Sequence, residues 1–386
     1  MKILLYEWEA YSERGLYKAL KEMDHEVLTY SRKIQNHLVD EGFLTELALI
    51  LVQEKVALVI SYDFFPMVSM ACRAAHIKYA SWIFGTPHYS LYCDEVFYEG
   101  NYIFCFDRLQ YQSVKENGVE HVYHLPLAVD PDLFVKSIRN RQEKPTGDVS
   151  FVGMLYTGKG NYFEQIAELP DYMKGYIEGL CEAQLKVYGY NMVPEVLNGN
   201  FIEEMRKYVN FSMEPNFFLT FEQFVVDIIN KKITVMERSR ILEMLSSCFT
   251  VDLYTKSDVT HLPKVHNHGY IHYYDKMPAV FHYSKVNLNI TMRSIVTGIP
   301  LRVLDVLGCG GFLITNYQEE IAEYFEDGKE LVTYSSMEEL LEKTVYYLEN
   351  EELRKQIAQN GYEKVVREFN YKKQLSYILE KVMEKS

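Results

Sequence analysis

Residues Ser294–Thr315, SIVTGIPLRVLDVLGCGGFLIT, carry the pattern on which the fold reading turns. Thr297 and Gly298 read as a short loop. Pro300 follows where a helix would start, and a proline suits a first helical turn. The helix is expected to end at Gly308-Cys309-Gly310-Gly311 and to give way to a buried strand at Phe312–Thr315. Backbone N–H groups at such a helix start attract an anionic phosphate. Asp305 lies inside the helix, flanked by Leu304 and Val306. A buried acid needs hydrogen-bond donors, and two sugar hydroxyls would serve. A plain βα unit with an exposed aspartate has the same spacing, so the residues leave both readings open.

Outward from this segment, the same unit repeats. Short β-rich runs are predicted at Val149–Gly153, Cys248–Tyr254, Val265–Ile271, Lys285–Thr291 and Glu330–Thr333, with a long helical stretch inserted at about 161–246. The end, Met337–Lys385, reads as nearly all helical. The N-terminal part alternates strands at Lys2–Tyr6, Glu26–Tyr30, Ala57–Tyr62, Lys78–Phe84, Tyr102–Phe106 and Val122–Leu125 with helices at Ser12–Met23, Glu41–Glu54 and Pro66–Ala75. Such alternation implies parallel pairing through right-handed crossovers, hence α/β domains with doubly wound, Rossmann-like sheets. The polar stretch 131–147 reads as a linker. It separates an N-terminal domain (1–130) from a C-terminal one (148–370), and the last helix, 371–386, is expected to cross back to the first. Ligands of such sheets bind outside the carboxyl ends of the strands, so a cleft between the two halves is the expected site.

At 386 residues two domains are the default. Apolar runs such as Leu47–Val52 and Ala57–Ile60 fall far short of the roughly 20 residues of a membrane span. Glu7 and Glu9 follow the first apolar run too soon for a secretory signal, which predicts a cytoplasmic protein. A net charge of −14 without a long basic run argues against nucleic acid as the main partner. The six cysteines show no C-x-x-C spacing and are expected to be buried small hydrophobes. The 32 tyrosines suit sugar stacking but equally suit sheets and cores.

Three further segments stand out. Ser150–Gly160, SFVGMLYTGKG, is a strand and loop ending in Lys159. His266–Tyr274, HNHGYIHYY, clusters histidines near His261, but no third ligand has metal-site spacing. Gly85–Ser90, GTPHYS, places His88 at the carboxyl end of a strand, where a plain turn set by Gly85 and Pro87 is the competing reading. Asp130-Pro131-Asp132 has the form of a D-x-D metal motif but reads as a turn or helix start. No G-x-G-x-x-G follows the first strand, which disfavours a nicotinamide enzyme, and no G-x-S-x-G nucleophile elbow occurs.

Val303–Thr315, VLDVLGCGGFLIT, resembles the L-E-A-x-A-C-G-x-P-V-I segment of group 1 glycosyltransferases with the GT-B fold. With the late IAQNGYEKVVREFNY it looks more closely like the CgeB (spore-maturation-protein) type. The resemblance is good over 265–386, weaker over 3–134 and absent across the helical insertion. It implies a GT-B architecture of two Rossmann-like domains and a metal-independent, retaining enzyme without a cofactor. Its donor would be a nucleoside diphosphate sugar, a UDP-sugar, and its acceptor a hydroxyl of a glycan or protein. In such enzymes an acid at the place of Asp305 holds the ribose, and Lys159 matches a lysine that serves the diphosphate, with Gly153 in the same turn. Met154 stands where many members carry Arg, and Arg293 and Arg302, bracketing Gly298, are the natural substitutes. The resemblance further points to Gly269, Tyr270 and Ile271 for the base, and to His88 for the donor sugar. Thr297 occupies the place of the family's first acid. An epimerase on the same fold and a non-catalytic nucleotide-sugar-binding module, with the insertion as a surface for a partner protein, are the rival readings.

Overall fold

The computed structural model describes residues 1–10, 12–36, 40–140, 145, 147–157 and 162–384. The chain forms two compact units. The first comprises residues 1–129, 212–219 and 368–386, and the second 130–211 and 220–367.

The first unit contains β1 (Lys2–Tyr6), α1 (Glu13–Glu22), β2 (Glu26–Tyr30), α2 (Glu41–Gln53), β3 (Leu58–Tyr62), α3 (Pro66–Ala75), β4 (Lys78–Ile83), β5 (Asn101–Cys105), α4 (Arg108–Glu116) and β6 (Val122–His124). The strands form one parallel sheet in the order β2-β1-β3-β4-β5-β6. Strands β3 and β5 are buried along their whole length, as expected where helices cover both faces. Side-chain caps start two of the helices: Asp40 accepts from Phe43 N, and Asp107 from Gln110 N.

The second unit contains α5 (Asp132–Asn140), β7 (Val149–Val152), α6 (Asp171–Gln184), α7 (Val193–Val196), α8 (Gly199–Met205), α9 (Phe221–Ser246), β8 (Val251–Tyr254), β9 (His266–Asn267), α10 (Met277–Tyr283), β10 (Val286–Asn289), α11 (Leu301–Gly308), β11 (Leu313–Asn316), α12 (Glu319–Tyr324), β12 (Val332–Tyr334), α13 (Met337–Glu349) and most of α14 (Glu351–Glu368). The final helix, α15 (Tyr371–Met383), groups with the first unit, where Tyr371 packs at 6.1 Å from Trp82. The second sheet is also parallel, in the order β12-β11-β10-β7-β8-β9. Among the described residues no helix is long and apolar enough to cross a membrane.

Four local expectations change. The stretch read as a linker contains α5, because Phe134 is buried and packs edge-on against Tyr273. The strand expected at Val265–Ile271 shrinks to His266–Asn267. Gly269 adopts φ +73° and donates its N–H to Asn267 Oδ1 (2.9 Å), so the chain turns out of the sheet. Within the helical insertion, residues 212–219 join the first unit by backbone pairing: Asp94 N donates to Asn216 O (2.9 Å) and Phe218 N to Tyr92 O (2.8 Å). Five cysteines are buried and Cys248 is exposed.

Candidate functional site

The second sheet reverses direction between β7 and β10. From β7 the chain steps outward to β8 and β9, then returns to place β10 on the other side of β7. The crevice outside the carboxyl ends of β7 and β10 is therefore the topological switch point, where ligands of open α/β sheets bind. Residues Gly153–Thr157 leave β7 there, and Ile290–Pro300 leave β10 and lead into α11.

Asp305 stands on α11 and is 1 % exposed. Its Oδ1 accepts a short hydrogen bond from the Tyr273 hydroxyl, and Oδ2 lies 3.4 Å from Arg302 Nη1. Burial pushes the carboxyl up to about 6 from its ordinary 3.8, while the Arg302 charge and the Tyr273 hydroxyl pull it down. Tyr273 and Arg302 thus supply donors to this acid from the protein itself. Arg302 is partly exposed, contacts Met277 Sδ at 2.8 Å and lies over the Phe281 ring at 5.1 Å. Tyr273 thus ties the segment after β9 to α11. It belongs to the quoted HNHGYIHYY segment, but nothing in sequence spacing pairs it with a residue 32 positions away.

Arg293 requires a correction. Its guanidinium forms a two-pronged pair with Glu237 of α9 (2.7 and 2.8 Å), donates to Val187 O (2.7 Å) and lies over the Tyr188 ring at 4.4 Å. It is a buried structural cation rather than a substitute for the arginine missing at 154. Gly153 donates its N–H to Tyr254 O (3.2 Å), extending the β7–β8 pairing instead of presenting that N–H to a ligand. The Thr297–Gly298 loop is buried, and Thr297 O accepts from Glu320 N (3.2 Å). Lys159 lies outside the described residues.

The turn after β9 is open. Tyr270 is 41 % exposed, with Lys256 Nζ 4.0 Å above its ring, and Ile271 beside it is half-buried. Lys256, at the carboxyl end of β8, is a cation that sequence reading missed, since a single lysine in a loop has no pattern. Two of the clustered histidines attend Asp252, which His268 Nε2 meets at 2.8 Å and His266 Nδ1 at 4.0 Å. Among the described residues no group of three or more His, Cys, Asp or Glu could hold a metal ion. In the first unit His88 is held by its own neighbours, with Ser90 Oγ 2.7 Å from Nδ1 and Asp63 Oδ1 3.4 Å from Nε2.

Residues 238–380 match a family model described as glycosyl transferase-like. No curated protein matches the chain. The fold is similar to that of several solved structures. One is the Anabaena protein HepE in complex with UDP and glucose (12 % identity, 98 % of this chain and 99 % of that one, TM-score 0.56). Another is a sucrose-phosphate synthase from Thermosynechococcus elongatus (11 %, 100 % of each chain, TM-score 0.54). A third is a glycosyltransferase involved in avilamycin A biosynthesis (11 %, 99 % and 97 %, TM-score 0.52). With its two parallel six-stranded sheets the chain has the GT-B glycosyltransferase fold, and residues 238–380 are glycosyl transferase-like in sequence.

Proposed function

We propose that the protein is a CgeB-like glycosyltransferase whose second unit binds a UDP-sugar, and that it transfers the sugar, with retention and without a metal ion, to a hydroxyl of a glycan or protein. The observation that carries this reading is the junction of Tyr273, Asp305 and Arg302, which joins an open turn after β9 to an acid and a cation on α11. An aromatic turn, an acid and a cation are the residue types that suit a base, a ribose and a diphosphate. The complexes of HepE with UDP, glucose and UDP-glucose support a donor of this class.

In the proposed reaction the bond between the sugar C1 and the β-phosphate oxygen breaks, and its electron pair stays on the diphosphate. The acceptor oxygen bonds to C1, and its proton passes to the departing phosphate oxygen. Arg302 and Lys159 stabilise the departing charge, a role for preorganised cations in a site screened from water. Asp305 accepts from the ribose, Tyr270 and its neighbours face the base, and His88 is assigned to the donor sugar.

The test is a thermal-shift panel of nucleoside diphosphates, followed by UDP-sugars with glycan and protein acceptors. UDP at a hundred times its Kd is expected to stabilise by about 2.7 kcal/mol, roughly 5–10 °C in Tm. UDP release that depends on acceptor supports transfer. An epimerised sugar formed without acceptor, or binding without turnover across the panel, overturns it.

If the ribose takes the place of the Tyr273 hydroxyl on Asp305, that hydroxyl competes with the ligand. Tyr273→Phe is therefore expected to tighten UDP binding about fivefold, equivalent to one hydrogen bond of about 1 kcal/mol. Calorimetry at pH 8 checks this, and a loss of affinity would instead make Tyr273 a direct ligand of the nucleotide.

A further inference from the structure

Helix α9 carries Arg238 to the switch point of the second sheet. Its Nε and Nη2 donate to Ile290 O (3.1 and 2.6 Å), and Nη1 makes a short bond to Met154 O. Ile290 immediately follows β10, and Met154 lies two residues past β7. The guanidinium thus spans the two carboxyl ends that flank the crevice. Arg238 is only 8 % exposed, with the Phe151 and Tyr156 rings at 5.5 and 5.3 Å.

What Arg238 lacks is a counter-charge. Among the described residues no carboxylate lies within 4.0 Å of it, and its chain neighbour Glu237 is committed to Arg293. Burial pushes its guanidinium below the ordinary arginine range, and the nearby Arg302 charge acts in the same direction, against Tyr156 and Glu237. Asp305, the acid joined to Arg302, is itself drawn toward its neutral form by burial. A buried cation held by carbonyl dipoles and aromatic rings, with no carboxylate bonded to it, leaves an excess of positive field at the crevice. Next to it, the Met154 side chain is 44 % exposed while its carbonyl turns inward to Arg238.

We infer that Arg238 is a cation of the diphosphate site: from the inserted helix it fixes both flanking loops and supplies the positive charge that position 154 does not carry. The inference rests on the donor reading above and adds a residue from outside the segments that suggested it. Its ligand is the diphosphate group of a nucleoside diphosphate, and inorganic pyrophosphate is the minimal probe.

The experiment measures the affinities of UDP, uridine and pyrophosphate for the full chain and for Arg238→Gln, Arg238→Lys and Arg238→Gln/Met154→Arg, with circular dichroism to confirm folding. Arg238→Gln is expected to weaken UDP and pyrophosphate at least tenfold and to leave uridine unchanged. Arg238→Lys should fall between. The double variant, which restores charge but not the clamp on the two carbonyls, should recover most of the loss. Should Arg238→Gln not fold, Met154→Arg in the native background reads the same site. It is expected to tighten UDP and pyrophosphate several-fold without affecting uridine, and no change there overturns the inference. Equal binding by Arg238→Gln and the native chain overturns the inference and leaves the donor reading standing. Arg238-dependent binding of pyrophosphate without binding of UDP keeps the anion site and overturns the choice of nucleotide. Failure of the native chain to bind either anion overturns both.

Discussion

Arg293→Met is expected to destabilise the second unit by about 3–5 kcal/mol, the cost of breaking a buried ion pair by removing one partner. Arg293 and Glu237 have side chains that are 10 % and 1 % exposed, and the guanidinium fork matches the carboxylate with bonds of 2.7 and 2.8 Å. Without the arginine, Glu237 keeps its burial and loses its charge partner, and Val187 O loses a donor. The acid must then take up a proton or draw water into the unit, and both are costly. Denaturant unfolding of the single and double variants measures this. Glu237→Gln/Arg293→Met should recover much of the loss, because a neutral amide and a thioether can share the site without an unpaired charge. The coupling energy from that cycle isolates the pair. The double variant should also bind UDP as the native chain does, since Arg293 serves the fold. A single-variant cost below about 1 kcal/mol would show that the pair is no more than a surface-like contact. A loss of UDP affinity in a folded double variant would return Arg293 to the donor site.

That pair also shows where sequence reading stops. The parallel strands were legible because each is a short, nearly continuous apolar run such as Leu58–Tyr62, buried along its whole length. The start of α11 was legible because Pro300 and the glycine run at 308–311 bracket it, although Pro300 serves as the cap rather than the first helical residue. Local chemistry sets both features. The partners of charged groups are not local: Arg293 finds Glu237 56 positions away, Arg238 finds Ile290 52 away, and Asp305 finds Tyr273 32 away. An arginine beside a glycine loop reads the same whether it faces a phosphate or a buried acid, and only the packing of α9 distinguishes Arg293 from Arg302. The hidden helix α5 has the same origin. Its polar residues and flanking prolines resemble a linker, and the packing of Phe134 against Tyr273 becomes visible only in three dimensions.

Between pH 4 and pH 7 the stability of the native chain relative to Asp305→Asn is expected to fall by about 2 kcal/mol. The carboxyl of Asp305 is raised to about 6 in the folded chain from an ordinary 3.8. A rise of that size is worth about 3 kcal/mol, since each tenfold change in proton affinity corresponds to about 1.36 kcal/mol. The sign follows from proton counting. Between these two values the folded chain holds a proton that the unfolded chain has released, so most of the stabilising contribution is present at pH 4 and it is lost as pH rises through 6. Asparagine has nearly the same shape, still accepts from Tyr273 and does not titrate, so subtracting its unfolding free energies cancels the other carboxylates. Unfolding both proteins at pH 4, 5, 6 and 7 gives the curve. A difference that grows with pH would mean that Arg302 holds the acid ionised as a strong pair, and the dominance of burial would be wrong. The same titration carries a consequence for binding. A ribose hydroxyl donates most strongly to the ionised carboxylate, whereas pyrophosphate has no ribose to donate. UDP affinity should therefore decline more steeply than pyrophosphate affinity as pH falls through 6, and the excess decline should vanish in Asp305→Asn. Parallel declines in the native chain would place the ribose elsewhere and leave Asp305 as a structural partner of Tyr273 and Arg302.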